Sequence, residues 1–98
     1  MALILSLRPG QDFYVGDERV LVGEVLGNSR LKITLPRTGR QYEINDEEAV
    51  ELRERPDVFL SVGDRASPGM AKISIDAPRS IPITRGHVWR AAHEGTTP

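Results

Sequence analysis

Apolar and polar residues alternate one by one along much of the chain, in short runs separated by turn-forming residues. Leu3, Leu5 and Leu7 flank Ile4 and Ser6, Leu31, Ile33 and Leu35 flank Lys32 and Thr34, and Ile73 and Ile75 flank Ser74. A period of two sends successive side chains to opposite faces, which predicts half-buried strands rather than helix pairs. Strands are expected at Leu3–Leu7, Asp12–Val15, Arg19–Leu26, Arg30–Leu35, Arg40–Ile44, Val58–Val62, Ala71–Ile75 and Ser80–Thr84. The breaks hold residues with a preset or positive φ: Pro9-Gly10, Gly16-Asp17, Gly27-Asn28, Pro36 to Gly39, Ala66 to Gly69 and Ala77-Pro78. Gly27-Asn28-Ser29 reads as a tight hairpin. Pro82 removes a ladder donor, so its strand belongs at a sheet edge or beside a bulge.

Two segments break the alternation. Asn45 or Asp46 precedes Glu47 to Arg55, a stretch acidic at its start and basic near its end, with Pro56 beyond it. That order predicts a capped helix near residues 47–55. A short C-terminal helix is expected from Gly86 to Ala92, followed by a disordered tail, 94–98. The fold expected is all-β: one small antiparallel β domain over residues 1–93, with an extra central helix and a short helix at the end. Arg30 to Arg37 also resembles Ala71 to Arg79 in pattern, a weak internal repeat.

Length and composition narrow the choices further. A chain of 98 residues builds one modest core, and such cores often lean on a partner subunit, a metal or disulfides. Cysteine is absent, and His87 and His93 have no acidic or His neighbours at a metal-like spacing, so no metal or other cofactor is expected. A homodimer is therefore the expected source of extra stability. The opening apolar run is too short for a signal peptide and no membrane-length stretch follows, which implies a cytosolic protein without membrane contact.

A net charge of −1 argues against indiscriminate attraction to nucleic acid, but the charges are segregated. Residues 41–64 carry Arg53 and Arg55 against eight acidic side chains, whereas residues 66–93 carry Lys72, Arg79, Arg85 and Arg90 against Asp76 alone. Eleven of the thirteen basic residues are Arg, whose planar fork suits phosphates and guanine edges. Catalysis is not expected, because the sequence holds no Ser/His/Asp set, no phosphate-cradling glycine loop and no metal cluster.

The two ends of the chain carry a resemblance. Leu3-Ile4-Leu5-Ser6-Leu7-Arg8-Pro9-Gly10-Gln11, Val15-Gly16-Asp17 and Val25-Leu26-Gly27-Asn28 are similar to the opening three strands of the carbon storage regulator (Csr/Rsm) family. Ile73-Ser74-Ile75-Asp76-Ala77-Pro78-Arg79-Ser80-Ile81-Pro82-Ile83-Thr84-Arg85 resembles the family's fourth strand, Ala-Pro turn, fifth strand and terminal arginine. Ordinary members pass directly from the Gly-Asn hairpin to the Ala-Pro turn, whereas residues 29 to about 66 intervene here. An inserted hairpin plus helix would account for them. So would a degenerate first ending followed by a second, partly duplicated set of strands, which is the favoured account. Under it, Tyr42 to Glu48 stands for a fifth strand and helix start, with Asp46 in place of the arginine.

The resemblance implies an interlocked pair of sheets that binds GGA motifs in messenger leaders or small RNAs and controls translation. Two chains of the family exchange their first and fifth strands, and RNA lies along the exposed edges. Carried over residue by residue, the implied RNA contacts are Leu5 and Arg8 from the first strand, Ala77, Pro78 and Arg79 from the turn, and Ile83 and Arg85 from the last strand. Leu7 stands where a second basic residue is usual. Each position also has a plainer role: Arg85 as a surface charge, Leu5 and Ile83 as core, and Trp89 as a core plug rather than a base-stacking ring. The alternative function is a protein-interaction module that turns its acidic helix toward a protein partner. A protein antagonist is a further partner in view.

Overall fold

The alternation sorts the chain into two antiparallel sheets packed face to face. In the computed structural model, residues 2–26, 30–63 and 70–94 are described. They form β1 (Ala2–Leu7), β2 (Asp12–Val15), β3 (Glu18–Val25), β4 (Arg30–Leu35), β5 (Arg40–Asn45), β6 (Val50–Glu51), β7 (Phe59–Val62), β8 (Ala71–Asp76), β9 (Ile83–Arg85) and α1 (Gly86–Glu94). One sheet has the order β1-β8-β7-β6 and the other β5-β4-β3-β2-β9. Their inner faces bury Leu5, Leu7, Leu60, Ile73 and Ile75 against Phe13, Val15, Val20, Val22, Leu31, Ile33, Leu35 and Ile44. Each such side chain contributes about 1.5–3 kcal/mol by leaving water.

Chain order and sheet order are interleaved in a specific way. β1 pairs with β8, so that Leu3, Leu5 and Leu7 face Ile75, Ile73 and Ala71 across the ladder. β5 pairs with β4 in the same manner, with Arg40, Tyr42 and Ile44 opposite Leu35, Ile33 and Leu31. The order β5-β4-β3-β2 thus repeats β1-β8-β7-β6 strand for strand, and the repeated segments of the sequence lie in the equivalent strands β4 and β8. Of residues Tyr42 to Glu48, expected as a counterpart of the last strand, Tyr42 to Asn45 lie in β5 and take the place of β1 instead, with Asp46 to Glu48 beyond the strand. β9 alone breaks the equivalence: it adds to the second sheet beyond β2, through Phe13 opposite Arg85 and Val15 opposite Ile83.

Pro82 fits this edge, as its position predicts. β9 begins only after it, shorter than the expected Ser80–Thr84, and the Pro82 carbonyl accepts a hydrogen bond from Gly16 N–H at 2.8 Å. Gly16 opens the two-residue β2–β3 turn at φ 62°, a left-handed conformation that glycine adopts without a Cβ penalty. The predicted Gly27-Asn28-Ser29 hairpin, the Ala66 to Gly69 turn and residues 95–98 of the tail lie outside the described residues.

The central helix expected over 47–55 is not formed. Its cap is present: Asn45 Oδ1 accepts from the N–H groups of Glu47 and Glu48 at 2.9 and 2.8 Å. The chain nevertheless turns away, because the residues that follow are claimed from different directions. Val50 pairs with Leu60, and Leu52 and Val58 are fully buried and joined by a 3.0 Å main-chain bond from Leu52 N–H. Glu54 reaches the β4–β5 hairpin, where it accepts from Thr38 Oγ1 at 2.8 Å, Arg40 Nε at 2.9 Å and Tyr42 OH at 2.7 Å. Arg55 pairs with Asp17 in the β2–β3 turn. A helix would bring Val50 and Glu54 onto one face, so it cannot serve these partners together.

Burial alone would raise the Glu54 carboxyl, but hydrogen bonds from Tyr42, Thr38 and Arg40 outweigh it and hold the group near 2, below its ordinary 4.5. A depressed carboxylate stabilises the fold fully above its unfolded value, and that contribution is lost as pH falls from about 4.5 toward 2. Glu54→Gln is expected to lower the melting temperature at pH 7 while changing little near pH 2, so that the acid limb flattens across that window, as followed by circular dichroism. An unchanged acid limb would contradict the assignment.

Candidate nucleic-acid interface

β1 and β9 are the outer strands of different sheets, and the sandwich brings them side by side. The contact between them is made by Arg85, whose Nη1 donates to the Ser6 carbonyl at 2.9 Å. That carbonyl is therefore directed at the neighbouring edge. In an antiparallel ladder, alternate residues turn both main-chain groups away from the partner strand. The β1 edge thus offers unspent donors and acceptors beside a guanidinium.

Two hollows flank this line. An apolar groove of about 250 Å³ is lined by Leu3, Ile75, Ile81 and four of the predicted residues, Ala77, Pro78, Arg79 and Ile83. Ile83 follows from its strand: it alternates with Thr84 and packs against the rim of the core. A polar hollow of about 170 Å³ lies at the other end of β9, where Arg85 meets Gln11, His87 and Arg90. Arg85 and Ile83 share one face of β9, so the strand presents a cation to one hollow and an aliphatic surface to the other.

The remaining predicted residues fall elsewhere. Leu5 is 8% exposed and packs in the core, so its side chain is not available to a ligand, although its strand is. Arg8 is exposed just beyond β1 and lines neither hollow; its main-chain N–H donates to Gln11 Oε1 at 2.8 Å. The Trp89 ring is engaged by two stacked neighbours, Tyr14 at 4.0 Å and His93 at 3.7 Å between centroids. It clamps α1 onto β2 and is not a platform for a base.

Sequence reasoning missed the group that fixes the helix beside Arg85. Asp12, only 5% exposed, accepts from Arg19 Nε at 2.6 Å and from Arg90 Nη1 at 2.7 Å. Burial would raise its carboxyl, but the hydrogen bonds from Arg90 and Arg19 prevail and hold it below 3.8. The carboxylate lies against Gly86, the first residue of α1, so closely that a β-carbon there would overlap it. The only local signal was a glycine directly after the strand; its partner is 74 positions away in the sequence.

No family model, curated protein or solved structure matches the chain. Among the described residues no helix is long and apolar enough to cross a membrane.

Proposed function

We propose that the chain is a post-transcriptional regulator that binds single-stranded, GGA-bearing RNA along the β1 and β9 edges and so controls translation. The observation that carries this reading is the juxtaposition of two open strand edges from different sheets with Arg85 between them. Such a line suits unpaired loop bases. Their Watson–Crick edges are free, and main-chain groups on a sheet edge read them without entering a groove. Guanine fits best: its O6 and N7 accept from an Arg fork, while N1 and N2 donate to carbonyls such as that of Ser6.

The resemblance to the Csr/Rsm regulators supports the same reading, since it assigns RNA to the first and last strands. Ala77, Pro78 and Ile83 then form an apolar wall against which a base packs, and Arg79 on the same groove meets phosphate. The chemistry is recognition, with no bond made or broken. The protein-interaction alternative leaned on an acidic helix face, and residues 47–55 have no such face.

Gel shifts with hairpins displaying GGA or CCA loops, at fixed salt, test the proposal. GGA is expected to bind more tightly, with an affinity that falls as salt rises. Arg53→Ala is expected to leave affinity within about twofold, because its side chain is exposed on the 52–58 turn and only its main-chain N–H is engaged, by Tyr42 OH. Equal binding of GGA and CCA loops would sink the RNA reading.

A further inference from the structure

We infer that one chain is a self-contained binder with a single RNA edge, so that a leader bearing two GGA elements takes up two independent molecules rather than one bridging assembly. The inference rests on the RNA reading above and adds its valency. It follows from the way the sheets repeat. The exchanges that the family makes between two chains are made here within one: β1 completes the sheet of β8, and β9 completes the sheet of β2.

The repeat also shows where a second site would lie. By the equivalence of the two ladders, β5 stands in the place of β1, Tyr42 in that of Leu5, and Glu43 in that of Ser6. A second site would need an arginine-bearing strand beside β5, as β9 lies beside β1. That place is taken by the turn between β6 and β7. Arg53 N–H donates to Tyr42 OH at 3.1 Å, and Glu54, whose side chain is 4% exposed, binds Thr38, Arg40 and Tyr42. Glu54 thus fills the place beside the counterparts of Leu3 and Leu5 and takes up the Arg40 guanidinium in an ion pair, so a folded turn stands there instead of an arginine-bearing strand. Among the described residues no strand extends the first sheet beyond β6 as β9 extends the second beyond β2.

Valency changes what a leader with repeated motifs experiences. A protein with two linked sites gains about 10²–10⁴ in avidity when both engage one RNA. A single edge gains nothing beyond the statistical factor of about two.

The full chain is examined by light scattering, by titration with a one-GGA hairpin, and by affinity for RNAs carrying one or two GGA hairpins. The expected results are a particle of 10.9 kDa, one hairpin bound per chain, and a tandem RNA that takes up two chains with no more than about a twofold gain in affinity. Arg40→Ala, at the counterpart of Leu3, is expected to leave hairpin affinity unchanged. Twice that mass, two hairpins per chain, or a hundredfold gain on the tandem RNA would overturn the inference while leaving the RNA reading intact. Failure to bind any GGA hairpin would overturn the RNA reading, and the single-site valency with it.

Discussion

Arg85→Ala is expected to weaken binding of a GGA hairpin by about fivefold to more than a hundredfold, the consequence of losing one bidentate Arg–guanine contact at about 1–3 kcal/mol. The guanidinium is already fixed in place by its bond to the Ser6 carbonyl, so little side-chain freedom is surrendered on binding. The same bond ties two sheet edges together, and its loss lowers stability by about 1 kcal/mol. Melting temperature must therefore be recorded beside affinity. Arg85→Lys separates the two contributions: it keeps the positive charge and the salt dependence but loses the fork, so discrimination between GGA and CCA loops should collapse. An Arg85→Ala protein that binds as tightly as its parent would remove the site from this edge.

Gly86→Ala is expected to have the largest effect on the fold among single-methyl changes. The added methyl would overlap the Asp12 carboxyl, which is short, buried and held from two sides by Arg19 and Arg90. Neither the carboxylate nor the start of the helix can yield without breaking those ion pairs or parting Trp89 from Tyr14. Forced overpacking of this kind costs about 1–3 kcal/mol. In a domain of this size each kcal/mol lowers the melting temperature by about 4–8 °C. Because Gly86 follows Arg85 directly, RNA affinity should fall together with helix docking. Gly39→Ala is the comparison: it sits at positive φ, which Gly86 does not, and open space surrounds its missing side chain, so it bears only the backbone penalty. If both variants melt alike, the close approach at Gly86 is not what constrains the helix.

Arg30–Leu35 was legible because the buried face of its sheet leaves a period of two in the sequence, whereas Asp12–Val15, buried at every position, was marked by the turns on either side of it. The 47–55 segment shows where local signals end. Asn45 caps as its chemistry dictates, yet Leu52, Glu54 and Val58 answer to the core and to the β4–β5 hairpin, and tertiary contacts outweigh helix propensity. Within the site, Ala77, Pro78, Arg79 and Ile83 converge on one groove because they are close in sequence, so a motif locates them together. Ser6 and Asp12 were invisible for the opposite reason. Each acquires its role from a residue more than seventy positions away, through an edge pairing that no local pattern encodes.

That separation also sets the order of assembly. β1 finds its partner only when residues 71–76 have been made, and β2 gains its outer neighbour only at residues 83–85. Closing such long loops is slow relative to forming the β4–β5 hairpin, whose strands are a few residues apart. On the ribosome the first strand, with Leu3, Leu5 and Leu7, must wait as an unpaired apolar segment for most of the time of synthesis. The proposed RNA edge is thus among the last parts of the molecule to form, and a chain truncated before residue 83 would retain much of the β2–β5 sheet while lacking β9 and Arg85 altogether.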